Sequence, residues 1–306
     1  MVQAPVPARL RALELFAGIG GFAAALGGDA EVVAALDIHR GALAVYRENF
    51  PHPVRAVTLE SLPVAQLAAY RADLWWLSPP CQPFTTRGLG KDLEDPRSRA
   101  LFHLIPVLGE LRPRLVALEN VPGFVGSRAR ARLLATLETA GYEWAEHLLC
   151  PSELGVPNRR QRYYLAAALG GGLRPLEKVP AEFRPTEFRP LLAYLDAEPE
   201  ADLWIDPELA RRYQGALDVV HADDPLARTA CFTAAYGHSP VRSGSYLATP
   251  TGLRRFSPQE VLRLLGFPES YRLPPDLPRQ AAWRLAGNSL SVPAVRAVLG
   301  TLPGLG

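Results

Sequence analysis

Apolar residues arrive along this chain in short runs, each closed by a polar or glycine break. Ala12-Leu13-Glu14-Leu15-Phe16 ends at Ala17-Gly18-Ile19-Gly20-Gly21, and Glu31 to Leu36 is closed by Asp37. Leu74 to Leu77 stops at Ser78-Pro79-Pro80, and Leu115 to Leu118 at Glu119-Asn120. Runs this short, bounded by breakers, predict buried strands. Between them the apolar spacing widens to a helical period. Leu43 and Tyr46 mark a helix over 41–49, and Leu101, Leu104, Ile105 and Leu108 mark one over 98–111. A third covers 128–140 and is stopped by Gly141, a residue suited to a helix end. Residues 144–149 and 163–168 predict two more strands. Such strand–helix alternation predicts an α/β fold with a doubly wound, mostly parallel sheet.

The pattern changes after Gly170-Gly171-Gly172, where proline and charge rise and periodicity fades. We divide the chain into a first domain over 1–170, a small second region over 171–253, and a segment over 254–306 that returns to complete the first. In Ser257-Pro258-Gln259-Glu260, Ser257 suits an N-cap, Pro258 the first helical position and Glu260 the capping-box site.

Two features single out chemistry. Cys81 lies in Ser78-Pro79-Pro80-Cys81-Gln82-Pro83-Phe84-Thr85, directly after a strand. Pro79 and Pro80 remove backbone donors and hold the chain extended. Cys81 thus lands in a stiff loop at a strand's carboxyl end, where open α/β sheets place ligands. A free cysteine alone is more often a packed small hydrophobe, but this setting points to a nucleophile. The glycine loop after the first strand lets a backbone approach a ligand closely. Asp37, closing the second strand, is placed to accept ribose hydroxyls or to cap the following helix. The loop lacks the third-glycine spacing of a dinucleotide site and the Lys-Ser/Thr of a triphosphate site. Glu119 ends a strand expected beside the one before Cys81, so both open on one rim. Arg160 and Arg162 alternate on one face of the segment entering the next strand, where arginine can orient a carboxyl, hold phosphate or lower a thiol's pKa.

Composition trims the alternatives. The chain has 306 residues, 48% hydrophobic, enough for one large domain and a smaller one. Net charge is +2, so no global field announces a polyanion. Local clusters at Arg112 and Arg114, at Arg128, Arg130 and Arg132, at Arg159, Arg160 and Arg162, and at Arg254 and Arg255 could together form a basic rim. Three scattered cysteines and six histidines show no disulfide or metal-ligand spacing. No metal is expected. With no signal-peptide pattern and no membrane-length apolar run, a cytoplasmic protein is expected, working as a monomer.

Five motifs then fall in order: Phe16-Ala17-Gly18-Ile19-Gly20-Gly21, Pro79-Pro80-Cys81-Gln82-Pro83-Phe84, Glu119-Asn120-Val121, Arg160-x-Arg162 and Gly287-Asn288-Ser289-Leu290. Over about residues 11 to 300 the chain resembles the cytosine-5 methyltransferase family. Within it, Thr85 after Phe84, Ser78-Pro79-Pro80 before the cysteine, and Cys231-Phe232-Thr233 followed by Tyr236-Gly237 look most like the transfer-RNA aspartate branch. Asn158 departs from the glutamine usual in the family's DNA enzymes.

The resemblance implies a Rossmann-like S-adenosylmethionine methyltransferase fold, with residues 171–253 as a small target-recognition region. It implies Cys81 as nucleophile on cytosine carbon 6, with Glu119, Arg160 and Arg162 as its catalytic partners. It places S-adenosyl-L-methionine along Phe16, Ala17, Gly18, Ile19, Gly20 and Gly21, with Asp37, Ile38, Leu59 and Pro79 beside it. The amides of Asn288 and Ser289 close the far side. Gln82, Thr85, Asn120, Cys231, Phe232 and Thr233 would meet the substrate, with 85–95 a loop closing over the base and Arg254 or Arg255 on phosphate. The expected substrate is tRNA, an anticodon-loop cytosine of tRNA-Asp first. DNA is the alternative, and a noncatalytic nucleic-acid-binding module is a second.

Overall fold

A computed structural model describes residues 9–84, 95–184 and 187–305. The apolar runs form the expected strands: β1 (Arg11–Leu15), β2 (Glu31–Asp37), β3 (Val54–Ala56), β4 (Leu74–Leu77), β5 (Leu115–Asn120), β6 (Tyr142–Leu149) and β7 (Arg162–Leu169). They make one seven-stranded sheet in the order β3-β2-β1-β4-β5-β7-β6. The first five run parallel, while β7 is antiparallel to both β5 and β6. Every residue of β4 and β5 is buried, as expected for central strands covered on both faces.

Helices α1 (Gly21–Leu26), α2 (Arg40–Asn49), α3 (Val64–Ala69), α4 (Arg99–Leu111) and α5 (Arg128–Thr139) connect the strands. Gly141, at φ +83°, follows the end of α5 in the left-handed conformation. Residues after 170 are more ordered than their pattern suggested. Short turns lead to α6 (Pro207–Arg212) and to a three-stranded sheet of β8 (Asp218–His221), β9 (Ser245–Thr249) and β10 (Gly252–Arg255). Helices α7 (Pro258–Leu264), α8 (Arg279–Gly287) and α9 (Val292–Leu299) follow. Ser257 caps α7 in a full capping box with Glu260. Residues of α8 and α9 share one core with Ala12, Phe22, Leu74 and Trp76 from the large sheet's side. Trp75 and Trp76, at 2% and 0% exposure, are core residues.

Strand order decides where a site can lie. Connections from β1 run one way to β2 and β3, and the chain then crosses to β4 and β5 on the other side. A crevice opens outside the carboxyl ends of strands where the winding reverses. The carboxyl ends of β1, β2, β4 and β5 carry the glycine loop, Asp37, the Cys81 loop and Glu119 respectively. Because β7 is antiparallel, its first residue, Arg162, starts on that same rim, with Tyr164 opposite Glu119.

Candidate active site

Phe16 and Gly18 both adopt positive φ, +59° and +53°, so the chain turns sharply as it leaves β1. Gly20 is at φ +87°, and a Cβ there would collide with the Phe50 ring, so only glycine serves. The Asp37 carboxylate holds the turn, accepting from the Gly18 N–H at 2.8 Å and the His39 N–H at 2.7 Å. It does not cap α2. That role belongs to His39, whose Nδ1 accepts from the Ala42 N–H at 3.0 Å. Ile38 is 69% exposed beside Asp37. Ala17, Ile19 and Leu59 are buried, Leu59 on the short turn Leu59–Ser61.

Beneath the loop lies a residue whose signal was available but unread: an acid inside an apolar strand. Glu14 is 1% exposed and accepts the Tyr46 hydroxyl at 2.8 Å; that hydroxyl also meets His52 Nδ1 at 3.1 Å. Burial pushes the Glu14 carboxyl up to about 8, against the hydrogen bond from Tyr46.

On the other side of the switch point, the Cys81 loop is tied to β5. The Asn120 side chain donates to the Pro79 carbonyl at 3.2 Å and accepts from the Val121 N–H at 2.8 Å. Asn120 is 1% exposed and its side chain bonds to backbone, so it supports the loop. The Arg162 guanidinium lies 3.4 Å from the Glu119 carboxylate, both largely buried. Burial pushes the Glu119 carboxyl above its ordinary value, and Arg162 and Arg160 oppose the shift. Burial and then Glu119 push the half-buried Cys81 thiol up, while Arg162 and Arg160 pull it down. Cys81, Glu119 and Arg162 therefore share one electrostatic site.

The two arginines differ. Arg160 is 3% exposed, and its guanidinium donates to the carbonyls of Phe232 (2.9 Å), Gly287 (3.2 Å) and Ser289. Arg160 and Arg162 also reach Cys231 Sγ, at 3.4 and 3.5 Å. Burial pushes the Cys231 thiol up, but the two guanidiniums more than offset this and leave it below its ordinary value. Asn158 completes the junction, donating to Thr229 Oγ1 at 2.9 Å and to the Ala230 carbonyl at 3.1 Å.

Several expected contacts are corrected. Phe232 is 1% exposed, edge-on to Tyr236 and Phe256, so its ring belongs to the core. The backbone amides of Asn288 and Ser289 already donate to the carbonyls of Arg284 and Ala286, while the Asn288 side chain is exposed. Arg254 is 2% exposed, with both Nη atoms on Glu260 at 2.7 and 2.8 Å, and cannot serve phosphate. Arg130 is taken by Glu146 at 2.6 Å, which thins the basic rim further. Gln82 lies half-buried in the turn after Cys81, and Thr233 is half-buried with its N–H on the Ser243 carbonyl. Thr85, and all of the 85–95 loop except Asp95, lie outside the described residues. Among the described residues no group of His, Cys, Asp or Glu could hold a metal ion, and no helix is long and apolar enough to cross a membrane.

Comparison with known proteins places the chain in a family. The family model for C-5 cytosine-specific DNA methylases matches residues 10–192 and 210–303. A tRNA (cytosine(38)-C(5))-methyltransferase of Bos taurus is 31% identical, over 94% of this chain and 97% of its own. A DNA (cytosine-5)-methyltransferase of Dictyostelium discoideum is also 31% identical, over 96% of this chain and 94% of its own. The crystal structure of the S. pombe Dnmt2 methyltransferase superposes with a TM-score of 0.87 at 31% identity, covering 95% of this chain and 98% of that one.

Proposed function

We propose that this chain, which belongs to the family of C-5 cytosine-specific DNA methylases, methylates an anticodon-loop cytosine of a transfer RNA, with tRNA-Asp the first candidate. Family membership makes it a cytosine-5 methyltransferase; the RNA substrate, the cofactor and the residue roles are our reading. The observation that carries the chemistry is the meeting of Cys81, Glu119 and Arg162 on one rim, facing the glycine loop and Asp37 across the switch point.

Carbon 5 of cytosine is too weak a nucleophile to attack a methyl sulfonium. Addition of the Cys81 thiolate to carbon 6 converts the ring to an enamine, and carbon 5 becomes nucleophilic. Glu119 gives a proton to ring nitrogen 3 as the thiolate adds, a role suited to a carboxyl that burial keeps toward its neutral form. Whenever Glu119 is neutral, the negative charge opposing the Cys81 thiolate is gone, so protonation of Glu119 favours ionisation of Cys81. Arg162 would steady Glu119 and the base carbonyl. Arg160, locked onto three carbonyls, acts as a positioning residue. Once carbon 5 carries the methyl group, solvent water takes the carbon-5 proton, Cys81 leaves as thiolate, and Glu119 recovers its proton from nitrogen 3.

S-adenosylmethionine would supply the methyl group. The residues fit it: a Cβ built on Gly18 meets nothing within 4 Å, so open space faces the loop. Each Asp37 oxygen accepts one amide and keeps a lone pair for a ribose hydroxyl. Ile38 offers an exposed apolar face for an adenine.

RNA is favoured by the relatives named for tRNA cytosine 38, which match over nearly the whole chain. A base in a single-stranded loop also leaves its stack more cheaply than one in a duplex. The equally similar relative named for DNA supports the second reading, duplex DNA. Incubation with tritiated S-adenosylmethionine decides between them. Label should enter tRNA and leave duplex DNA blank; label in DNA alone would establish the second reading.

A further inference from the structure

Gly123 is exposed, yet it has no room for a side chain. A Cβ built on it would lie well under 3.0 Å from the Phe84 carbonyl oxygen, a separation that real side chains essentially never show. Gly123 is absent from the positive-φ residues, so an alanine there would be resisted by space alone and not by backbone strain.

The two segments that touch here are the ones that matter. Phe84 closes the turn that starts at Cys81, its N–H donating to the Cys81 carbonyl at 2.9 Å. Gly123 sits in the turn Pro122–Gly126, four residues after Glu119 and three after Asn120, where β5 ends. The side chains repeat the link. The Phe84 and Phe124 rings stand 5.0 Å apart and nearly perpendicular, at 89°. Phe124 meets Tyr163, the neighbour of Arg162, at 5.2 Å. The Tyr163 hydroxyl is anchored on Glu146, which holds Arg130.

We infer that Gly123 is a positioning residue for methyl transfer. Its backbone contact with Phe84, backed by the Phe84–Phe124–Tyr163 rings, sets where Cys81 stands relative to Glu119 and Arg162. This rests on the reading of Cys81 as nucleophile. To admit one methyl at Gly123, the Phe84 carbonyl must withdraw by roughly an ångström, and misplacement of that size costs on the order of 100-fold.

The test uses the full chain and tRNA, with 5-fluorocytidine in the tRNA for adduct formation. Gly123→Ala should lower kcat and the rate of adduct formation by about 10- to 100-fold. KM for tRNA and the affinity for S-adenosylhomocysteine should stay within about twofold, because the contact touches neither ligand. Gly126→Ala is the matched control: it lies in the same turn, and a Cβ there meets nothing within 4 Å. It should behave as wild type. Wild-type kcat in Gly123→Ala, or a loss confined to KM, would overturn the inference. Should Gly123→Ala fail to fold by circular dichroism, Phe124→Leu decides: a selective loss of kcat supports the inference and a wild-type kcat overturns it. An adduct formed by Cys81→Ala would instead overturn the role of Cys81, a result that can be told apart from failure at Gly123.

Discussion

Arg160 and Arg162 stand two positions apart, and the sequence marked both for the same rim. Their separate roles could not be read there, because they are set by partners far along the chain. Arg160 is claimed by carbonyls at 232, 287 and 289, whereas Arg162 turns to Glu119. Arg254 was misread for the same reason: a phosphate contact in sequence, it is sealed against Glu260 in the fold. Cys81, Glu119 and Asp37 were legible because each sits within a few residues of the end of an apolar run, so position alone fixed the rim they reach. Arg162 helps pull the Cys81 thiol down, so Arg162→Gln should move the pH of half-maximal Cys81 alkylation upward, read peptide by peptide with mass spectrometry. An unchanged or lower value would remove Arg162 from the site. Glu119→Gln should lower kcat by roughly 100- to 10,000-fold with S-adenosylhomocysteine affinity intact, as expected for loss of a positioned proton donor. A comparable loss of cofactor affinity in calorimetric titration would argue that Glu119 shapes the cofactor site instead.

Elements were legible where their signals are local. The capping box of α7 and the glycine that ends α5 were written in a few adjacent residues. The antiparallel direction of β7 was not, since an apolar run carries no record of its direction. The sheet of β8 to β10 was hidden because its strands are short, with little alternation. The link between β1 and α2 yields a pH prediction. Glu14 holds its proton up to about pH 8 when folded and to about 4.5 when unfolded. The folded state therefore binds more protons in this window, and stability falls as pH rises from about 4.5 through 8. Urea unfolding of wild type between pH 5.5 and 8.5 should show that loss, and Glu14→Gln should flatten it. An identical pH dependence in the mutant would mean Glu14 is ionised in the fold. At the start of α7, Glu260 serves both Arg254 and the helix cap. Glu260→Ala should cost about 3–5 kcal/mol, because it strands a buried charge. Replacing both partners, Arg254→Met with Glu260→Leu, should cost clearly less by chemical denaturation. Equal costs would deny the buried pair its importance.

For the whole molecule, alternation of strands and helices was enough to call a doubly wound sheet, and the crossing point of that sheet locates the crevice. What alternation could not show is how the distant segments close it. Residues 229–232 dock on 158–160, and the 287–289 segment is held by Arg160, so the site is assembled from three stretches that sequence alone keeps apart. The proposed function stands on a covalent bond from Cys81 to a tRNA cytosine. The most direct measurement is denaturing electrophoresis after incubation with S-adenosylmethionine and tRNA carrying 5-fluorocytidine. Fluorine cannot leave carbon 5 as a cation, so elimination stalls after methyl transfer. The wild type should give a shifted protein–RNA band and Cys81→Ala none; an adduct that persists in Cys81→Ala, or no adduct from an enzyme that methylates the unmodified tRNA, would rule out the covalent bond from Cys81.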